Sequence, residues 1–373
     1  MFAPIPIDDP ADPRLAPYTA MRERDLIGRE GRFIVEGAVT LRLLLSGASR
    51  FGAESILLAP ERLPALADAV AGGVAAMPAP PPVYLASRAV MSAVAGFPIH
   101  RGVLAVGVRG PAPEPATLVA PAPAPALVLG LAGLTNHDNV GGLFRNAAAF
   151  GADAVLLDAE TCDPLYRKAI RVSAGAALIT PFARLPRAVD WLALADSLGL
   201  VPLALSPSGG ETLADLPALP RALLLVGTEG PGLPGGLMAR ARTVRIPMAA
   251  GFDSLNVATA GAIALHHLAR LSPADEVVLR IEPLEADMVL QALAAGGEDI
   301  GEDLRVEEEG RADIEAVAAR RLDGLGAPAD RLILVEDRDV KARAREQKRR
   351  RQAAGTGTDD DDPASGQGPQ AVP

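Results

Sequence analysis

Apolar residues along this chain fall into two rhythms, short unbroken runs and stretches where they return every three or four positions. The runs predict buried strands and the wider spacing predicts helices. Over 20–110, FIVEGAVTLRLLLSGA predicts a strand entering a helix, SILLAP a strand, ERLPALADAVA a helix, and PVYLAS and GVLAVGV two more strands. Over 126–272, strands at 126–132, 153–157, 180–184, 201–205 and 222–227 alternate with helices at 140–150, 164–177 and 186–198, and a strand TVRIPM and a helix over 254–270 close the series. Helices between strands with short connections predict a mainly parallel sheet covered on both faces. The expected fold class is α/β, with a small α/β domain preceding a larger parallel-sheet domain.

The remaining stretches read differently. Residues 1–19 are rich in Pro and Asp without periodicity and are expected to form a loose arm. Residues 111–125 are a Pro/Ala linker, an extended and semi-rigid spacer. Residues 273–351 turn acidic and helical, with strands expected at 277–281 and 332–335, as an unassigned α/β extension ending in the basic KARAREQKRRR. Residues 352–373 read as a disordered tail.

Charge changes the picture once it is divided. The net charge is -10, yet residues 1–272 hold 22 basic and 22 acidic residues, while 273–373 hold 14 and 24. The acidic excess is C-terminal, so an RNA partner is not excluded. Arg22, Arg24, Arg29, Arg32, Arg42 and Arg50 precede or line the first helix, but Glu23, Asp25, Glu30 and Glu36 are interleaved with them. Phosphate contacts need unopposed cations, so a solvated mixed-charge face is the simpler reading. The single Cys162 excludes an internal disulfide framework, and the histidines at 100, 137, 266 and 267 lack metal-ligand spacing with it, so no metal is expected. His266 and His267 read as packing or surface residues of a helix. The N-terminus lacks the charged-then-apolar order of a secretory signal and the apolar stretch at 115–134 is broken by prolines, which predicts a soluble, cytoplasmic protein without a membrane span.

Three stretches carry candidate chemistry. In ALVLGLAGLTNHDNVGGLFRNAAAFG, residues 126–151, an apolar strand ends in a cluster of turn and cap formers that opens a helix, with Arg145 six positions after Asn139. Ligands of open α/β sheets bind at that end of a strand. In LLLVGTEGPGL, residues 223–233, a strand ends in a glycine-rich turn with Glu229 at its tip, where backbone groups can approach a ligand. In RIPMAAGFDSLNVATAGAIALHHLAR, residues 245–270, a strand ends at Ile246-Pro247-Met248 and Ser254-Leu255-Asn256 opens an Ala-rich helix, with Ser254 its expected N-cap. Neither the phosphate loop GxxxxGK[ST] nor GxGxxG after a first strand is present, which argues against nucleotide triphosphatases and ordinary dinucleotide enzymes.

In this order, Asn139-x-Gly141-x-x-x-Arg145, Gly227-Thr228-Glu229-Gly230-x-Gly232-Leu233, and Ile246-Pro247-Met248 with Ser254-Leu255-Asn256-Val257 resemble the SpoU/TrmH family of RNA ribose methyltransferases in the SPOUT superfamily. RVSAGAALITPFARL, residues 171–185, is similar to the same family. The resemblance covers 125–272 strongly, and 30–109 more weakly as the family's RNA-binding N-terminal domain.

What the resemblance implies is a trefoil-knotted methyltransferase domain, a homodimer, structured RNA (tRNA or rRNA) as substrate and S-adenosylmethionine as cofactor. The cofactor would rest against Gly227, Thr228, Gly230, Ile246, Met248 and Leu255. Arg145, Asn139, Glu229, Ser254 and Asn256 would serve catalysis, with Arg145 as the family's suggested base, held by Asn139 and Ser254. A guanidinium holds its proton too tightly to be an ordinary base, so Arg145 can also be read as a clamp on a phosphate beside the target ribose. One departure is visible: Asn136-His137-Asp138-Asn139 stands where the family commonly has Asp-Pro before the Asn. His137 is then a base or a surface turn residue. Competing readings are a knotted RNA-binding or assembly protein without turnover, and a knotted methyltransferase acting on a base nitrogen.

Overall fold

A computed structural model describes residues 3–19, 31–77, 79–251 and 254–269. Arg22, Arg24, Arg29, Arg270 and the whole extension from 273 onward lie outside the described residues.

The first sheet contains β1 (Ile5–Pro6), β2 (Arg32–Glu36), β3 (Gly52–Leu58), β4 (Val83–Leu85) and β5 (Val103–Val108), in the order β1-β4-β3-β5-β2. Strands β1, β4 and β3 run parallel, and β5 is antiparallel to both β3 and β2. Alternate residues face opposite layers. Phe33, Val35, Ile56 and Leu58 pack with Leu41 and Leu44 of α1 (Ala38–Leu44) and Leu66 and Val70 of α2 (Leu63–Ala76). Ile34, Leu57, Leu104 and Val106 face the other way, onto Met91 and Val94 of α3 (Arg88–Ala95).

The expected loose arm is corrected here. Ile5-Pro6 extend the sheet along its edge, where the missing N–H of proline costs no interior ladder bond. Leu15 and Tyr18 are fully buried in the second layer, and the Tyr18 hydroxyl pairs with Ser55 Oγ at 2.8 Å. A proline-bearing 3-10 turn, Pro13–Tyr18, places both side chains on one side without any helical periodicity to announce them.

The second sheet is wholly parallel: β6 (Ala126–Leu131), β7 (Ala154–Leu157), β8 (Phe182–Arg184), β9 (Val201–Leu205), β10 (Glu211–Thr212), β11 (Arg221–Val226) and β12 (Arg242–Arg245), ordered β10-β12-β9-β11-β6-β7-β8. Every residue of β6 and β11 is buried, as central parallel strands require. One face is covered by α4 (His137–Ala149), and the helix expected over 164–177 is instead α5 (Arg167–Val172) and α6 (Ala176–Ile179), broken at Ala174 and Gly175, both at positive φ. Trp191 of α7 (Trp191–Ser197) packs on the opposite face, and α8 (Val257–Leu268) returns to lie beside α4. From β6 the chain builds outward through β7 and β8, then crosses back so that β11 lies against β6. That reversal makes a switch point at the C-terminal ends of β6 and β11, the usual crevice for a ligand.

Between the sheets, 111–125 carries a single helical turn, Pro115–Leu118. Its end is tied down by Arg221, buried at the start of β11, whose guanidinium donates to the carbonyls of Leu198 (2.7 Å), Gly199 (3.0 Å) and Ala124. The two sheets meet along α5 and β8. Phe33, Phe51, Phe182 and Phe144 form a continuous ring series with centroid spacings of 5.3, 6.2 and 5.5 Å, running from β2 to α4. Beside it Arg109 donates to both oxygens of Asp163 at 2.7 Å, and Arg167 to Glu36 at 2.7 Å.

Candidate active site

The sequence places an N-cap cluster at 135–139, and the structure resolves it. Asn136 is the cap, its Oδ1 accepting from Asp138 N at 2.8 Å, so α4 begins at His137, three residues before the expected start. Asn139 therefore sits inside the first turn, buried at 4% exposure. An interior turn position turns its amide sideways, across the switch point rather than along the helix.

There it joins the other two motifs. Asn139 Nδ2 donates to Glu229 Oε1 at 2.6 Å, and Asn139 Oδ1 accepts from Asn256 Nδ2 at 2.9 Å. Asn256 is also the N-cap of α8, its Oδ1 accepting from Ala258 N at 2.9 Å and Thr259 N at 3.3 Å. Ser254 is not the cap; it is exposed, two residues before the cap. The reason is geometric: Asn256 can reach the first free amides and Asn139 at once, one through each end of its amide. Asn146, which sequence reasoning missed, adds a second tie by donating to Ala258 O at 2.8 Å. An Asn on the inward stripe of an amphipathic helix was its signal.

The glycine-rich turn after β11 folds back on itself. Thr228 pairs with Gly232 as an isolated bridge, and Thr228 Oγ1 donates to Gly232 O at 3.2 Å. A Cβ on Gly227 would stand 2.5 Å from the Gly232 carbonyl carbon and Leu233 N, so no side chain fits there. Gly230 lies in the exposed tip at φ +86. The strand expected through Met248 stops at Arg245, leaving Ile246 and Met248 half-buried beyond it, with Leu255 exposed at 38%. The turn leaves glycine backbone accessible at its tip, and Leu255 exposed ahead of α8.

Arg145 stands apart from the Asn139 cluster, about 9 Å further along the helix axis. It is exposed and makes no hydrogen bond or ion pair among the described residues, so neither Asn139 nor Ser254 holds it. Arg145 is thus separate from the amide network. His137 is not a bare turn residue: its ring lies on Tyr166 at 4.0 Å and 32°, beside the Lys168–Asp138 pair at 2.7 Å. Burial, then the Lys168 cation, pushes its imidazole below the ordinary value. His266 and His267 are exposed on α8, with His266 edge-on to Phe150 at 5.5 Å. Among the described residues no cluster of His, Cys, Asp or Glu is fit to hold a metal, and no helix is long and apolar enough to cross a membrane.

A parallel α/β sheet with an asparagine-centred crevice at its switch point defines the class, an α/β protein of the kind that matches solved RNA methyltransferases. The crystal structure of an AdoMet-bound rRNA methyltransferase from Sinorhizobium meliloti aligns with a TM-score of 0.60 at 22% identity, over 71% of this chain and 97% of that one. The crystal structure of an RNA 2'-O ribose methyltransferase aligns with a TM-score of 0.55 at 27% identity, over 71% and 98%. Residues 126–266 match the model of the SpoU rRNA Methylase family. An uncharacterised tRNA/rRNA methyltransferase of Mycobacterium bovis is 41% identical over 276 residues, 70% of this chain and 90% of its own length. The chain belongs to the SpoU family of RNA methyltransferases.

Proposed function

We propose that this protein transfers a methyl group from S-adenosylmethionine to a ribose 2'-hydroxyl of structured RNA, tRNA or rRNA. The observation that carries the reading is the hydrogen-bonded series Glu229–Asn139–Asn256, which joins three distant motifs at one crevice. The backbone of Gly227, Thr228 and Gly230 would hold the polar parts of the cofactor, with Ile246, Met248 and Leu255 against its apolar parts. Bound there, S-adenosylmethionine supplies an electrophilic sulfonium methyl. The chain's own part is placement, since in-line alignment of reacting groups is worth about 7–11 kcal/mol in favourable cases.

Asn139 and Asn256 form a fixed polar edge for the ribose, and Glu229, an acceptor held by Asn139, orients that edge. Arg145, exposed and unopposed, clamps the phosphate beside the target ribose, and the 2'-hydroxyl proton leaves to that phosphate or to water. Replacing Arg145 by Lys separates the two roles: weakened RNA binding with a preserved rate supports the clamp, and a collapsed rate with intact RNA binding supports the base.

The trefoil knot and the homodimer belong to the same reading. Ile263 on α8, 41% exposed, favours α8 as the subunit contact, and light scattering of the purified protein tests this. Residues 31–108 act in this reading as an RNA-binding module.

The deciding experiment incubates purified protein with labelled S-adenosylmethionine and unmodified tRNA or rRNA and identifies the labelled nucleoside. A 2'-O-methylated nucleoside supports the proposal. A base-methylated one overturns it in favour of nitrogen methylation, and RNA binding without transfer favours a non-catalytic role.

A further inference from the structure

Many arginines of the described residues are neutralised: Arg32 by Glu54, Arg88 by Glu61, Arg109 by Asp163 and Arg242 by Glu211. The side chains of Arg101, Arg145 and Arg171 are exposed and make no hydrogen bond or ion pair among the described residues. Contacts of neighbouring residues connect these three in turn. Arg101 Nη1 lies 3.3 Å from where a Cβ of Gly37 would stand, at the end of β2. The neighbouring Glu36 holds Arg167 at the start of α5. Arg171 follows one turn later, about 6 Å along the same helix face. The Ala169 carbonyl and the Val172 side chain then sit against Gly141, one turn before Arg145. This series of contacts runs from the first sheet, through the seam helix, to the helix that carries the arginine of the first motif.

Unopposed guanidiniums alone fit a solvated face as well as a binding one. A second observation separates the two. Where α5 begins, His137 and Tyr166 form a partly exposed ring pair with 4.0 Å between centroids. Aromatic platforms beside cation rows suit unstacked RNA, the rings taking a base and the guanidiniums taking phosphates. A protein partner of acidic character would use the cations but would gain nothing from the rings. Burial and the Lys168 cation disfavour the charged form of His137.

We infer that α5 is an RNA-guiding seam, with Arg101 and Arg171 holding phosphates of the strand that leads to Asn139 and Arg145, and His137 with Tyr166 stacking a loop nucleotide beside the target ribose. This rests on the RNA methyltransferase reading, so the test keeps the two apart. Unmodified tRNA and rRNA transcripts are bound to the full chain across a range of KCl, and S-adenosylmethionine binding is measured separately by calorimetry.

The doubly substituted Arg101→Glu, Arg171→Glu protein should lose at least about tenfold in RNA affinity, with a log–log salt slope shallower by about 1.4–1.8, since each phosphate contact contributes roughly 0.7–0.9. Its cofactor affinity and melting temperature should match the parent. His137→Ala should weaken RNA binding about tenfold and His137→Phe should restore it, which a purely electrostatic surface would not do. Parental RNA affinity and slope in the double variant, while Arg145→Ala loses binding, would overturn the seam and leave the catalytic reading standing. Equal displacement of RNA by polyglutamate would also overturn it, as a surface of general charge. A parent chain that binds cofactor but neither RNA would sink the RNA reading itself.

Discussion

Asn139 donates its side-chain amide to Glu229 across 90 positions of sequence, at 2.6 Å. The direction of that bond is set by chemistry, because an ionised carboxylate only accepts. It also fixes which way the Asn139 amide points, and so which of its ends is left to meet Asn256. Asn139→Asp should therefore fail for a specific reason: two carboxylates would share one short contact. The variant should be less stable at pH 8 than at pH 5, where one shared proton relieves the repulsion. Adding Glu229→Gln should restore stability at pH 8, because the new amide can donate to the aspartate. Thermal melts of the single and double variants at both pH values check this, and a double variant no better than the single would contradict the pairing.

Asn256 has two jobs that substitution can divide. Asn256→Asp keeps an oxygen for the α8 cap but loses the donor to Asn139, whereas Asn256→Ala loses both. The alanine variant should be less stable by about 1 kcal/mol for the cap, with a further contribution of about 0.5–1.5 kcal/mol from the bond to Asn139. The aspartate variant should keep most of the cap's share. Both should lose methyl transfer, and denaturant titration with an activity assay reads the two effects separately.

Arg221 is a buried cation satisfied by backbone carbonyls rather than by a carboxylate. Removing it leaves the carbonyls of Ala124, Leu198 and Gly199 short of a donor near the core. Arg221→Met should destabilise the fold by about 3 kcal/mol, the scale of a buried polar group left unpaired. Lysine, with one compact ammonium in place of a planar fork, should recover only part of that. Urea denaturation of both variants measures it.

His137 makes stability depend on pH with a definite sign. Its folded-state basicity lies below the ordinary value of 6.5, so the unfolded chain binds the proton more readily. Its contribution is fully present above pH 6.5 and is lost as the pH falls through the lower folded value. His137→Phe should flatten that part of the profile while keeping the contact with Tyr166. A melting series from pH 8 to pH 5 on both proteins checks it, and parallel curves would assign the dependence to other groups.

How much of this was legible in the sequence varies with the range of the interaction. Unbroken runs such as those expected at 126–132 and 222–227 predict their strands because both faces are buried and no charged residue interrupts them. Motif order marked Asn139, Glu229 and Asn256, but not their mutual bonds, which depend on how distant segments meet. Ser254 looked like the cap because serine is a good one; Asn256 took the place because it could satisfy the helix and Asn139 together. The N-terminal residues 3–19 were misread for the opposite reason. Proline removes periodicity, and two isolated anchors, Leu15 and Tyr18, leave no pattern to find.

The ring series from Phe33 to Phe144 joins the two sheets through edge-on and tilted aromatic contacts. Close-packed interiors of this kind resist small deformations. An RNA lying across both sheets would meet a surface that does not bend to suit it. Fit would then be decided by how readily the RNA itself opens and curves, and a pliable loop would be accepted where a stiff helix of similar sequence is refused.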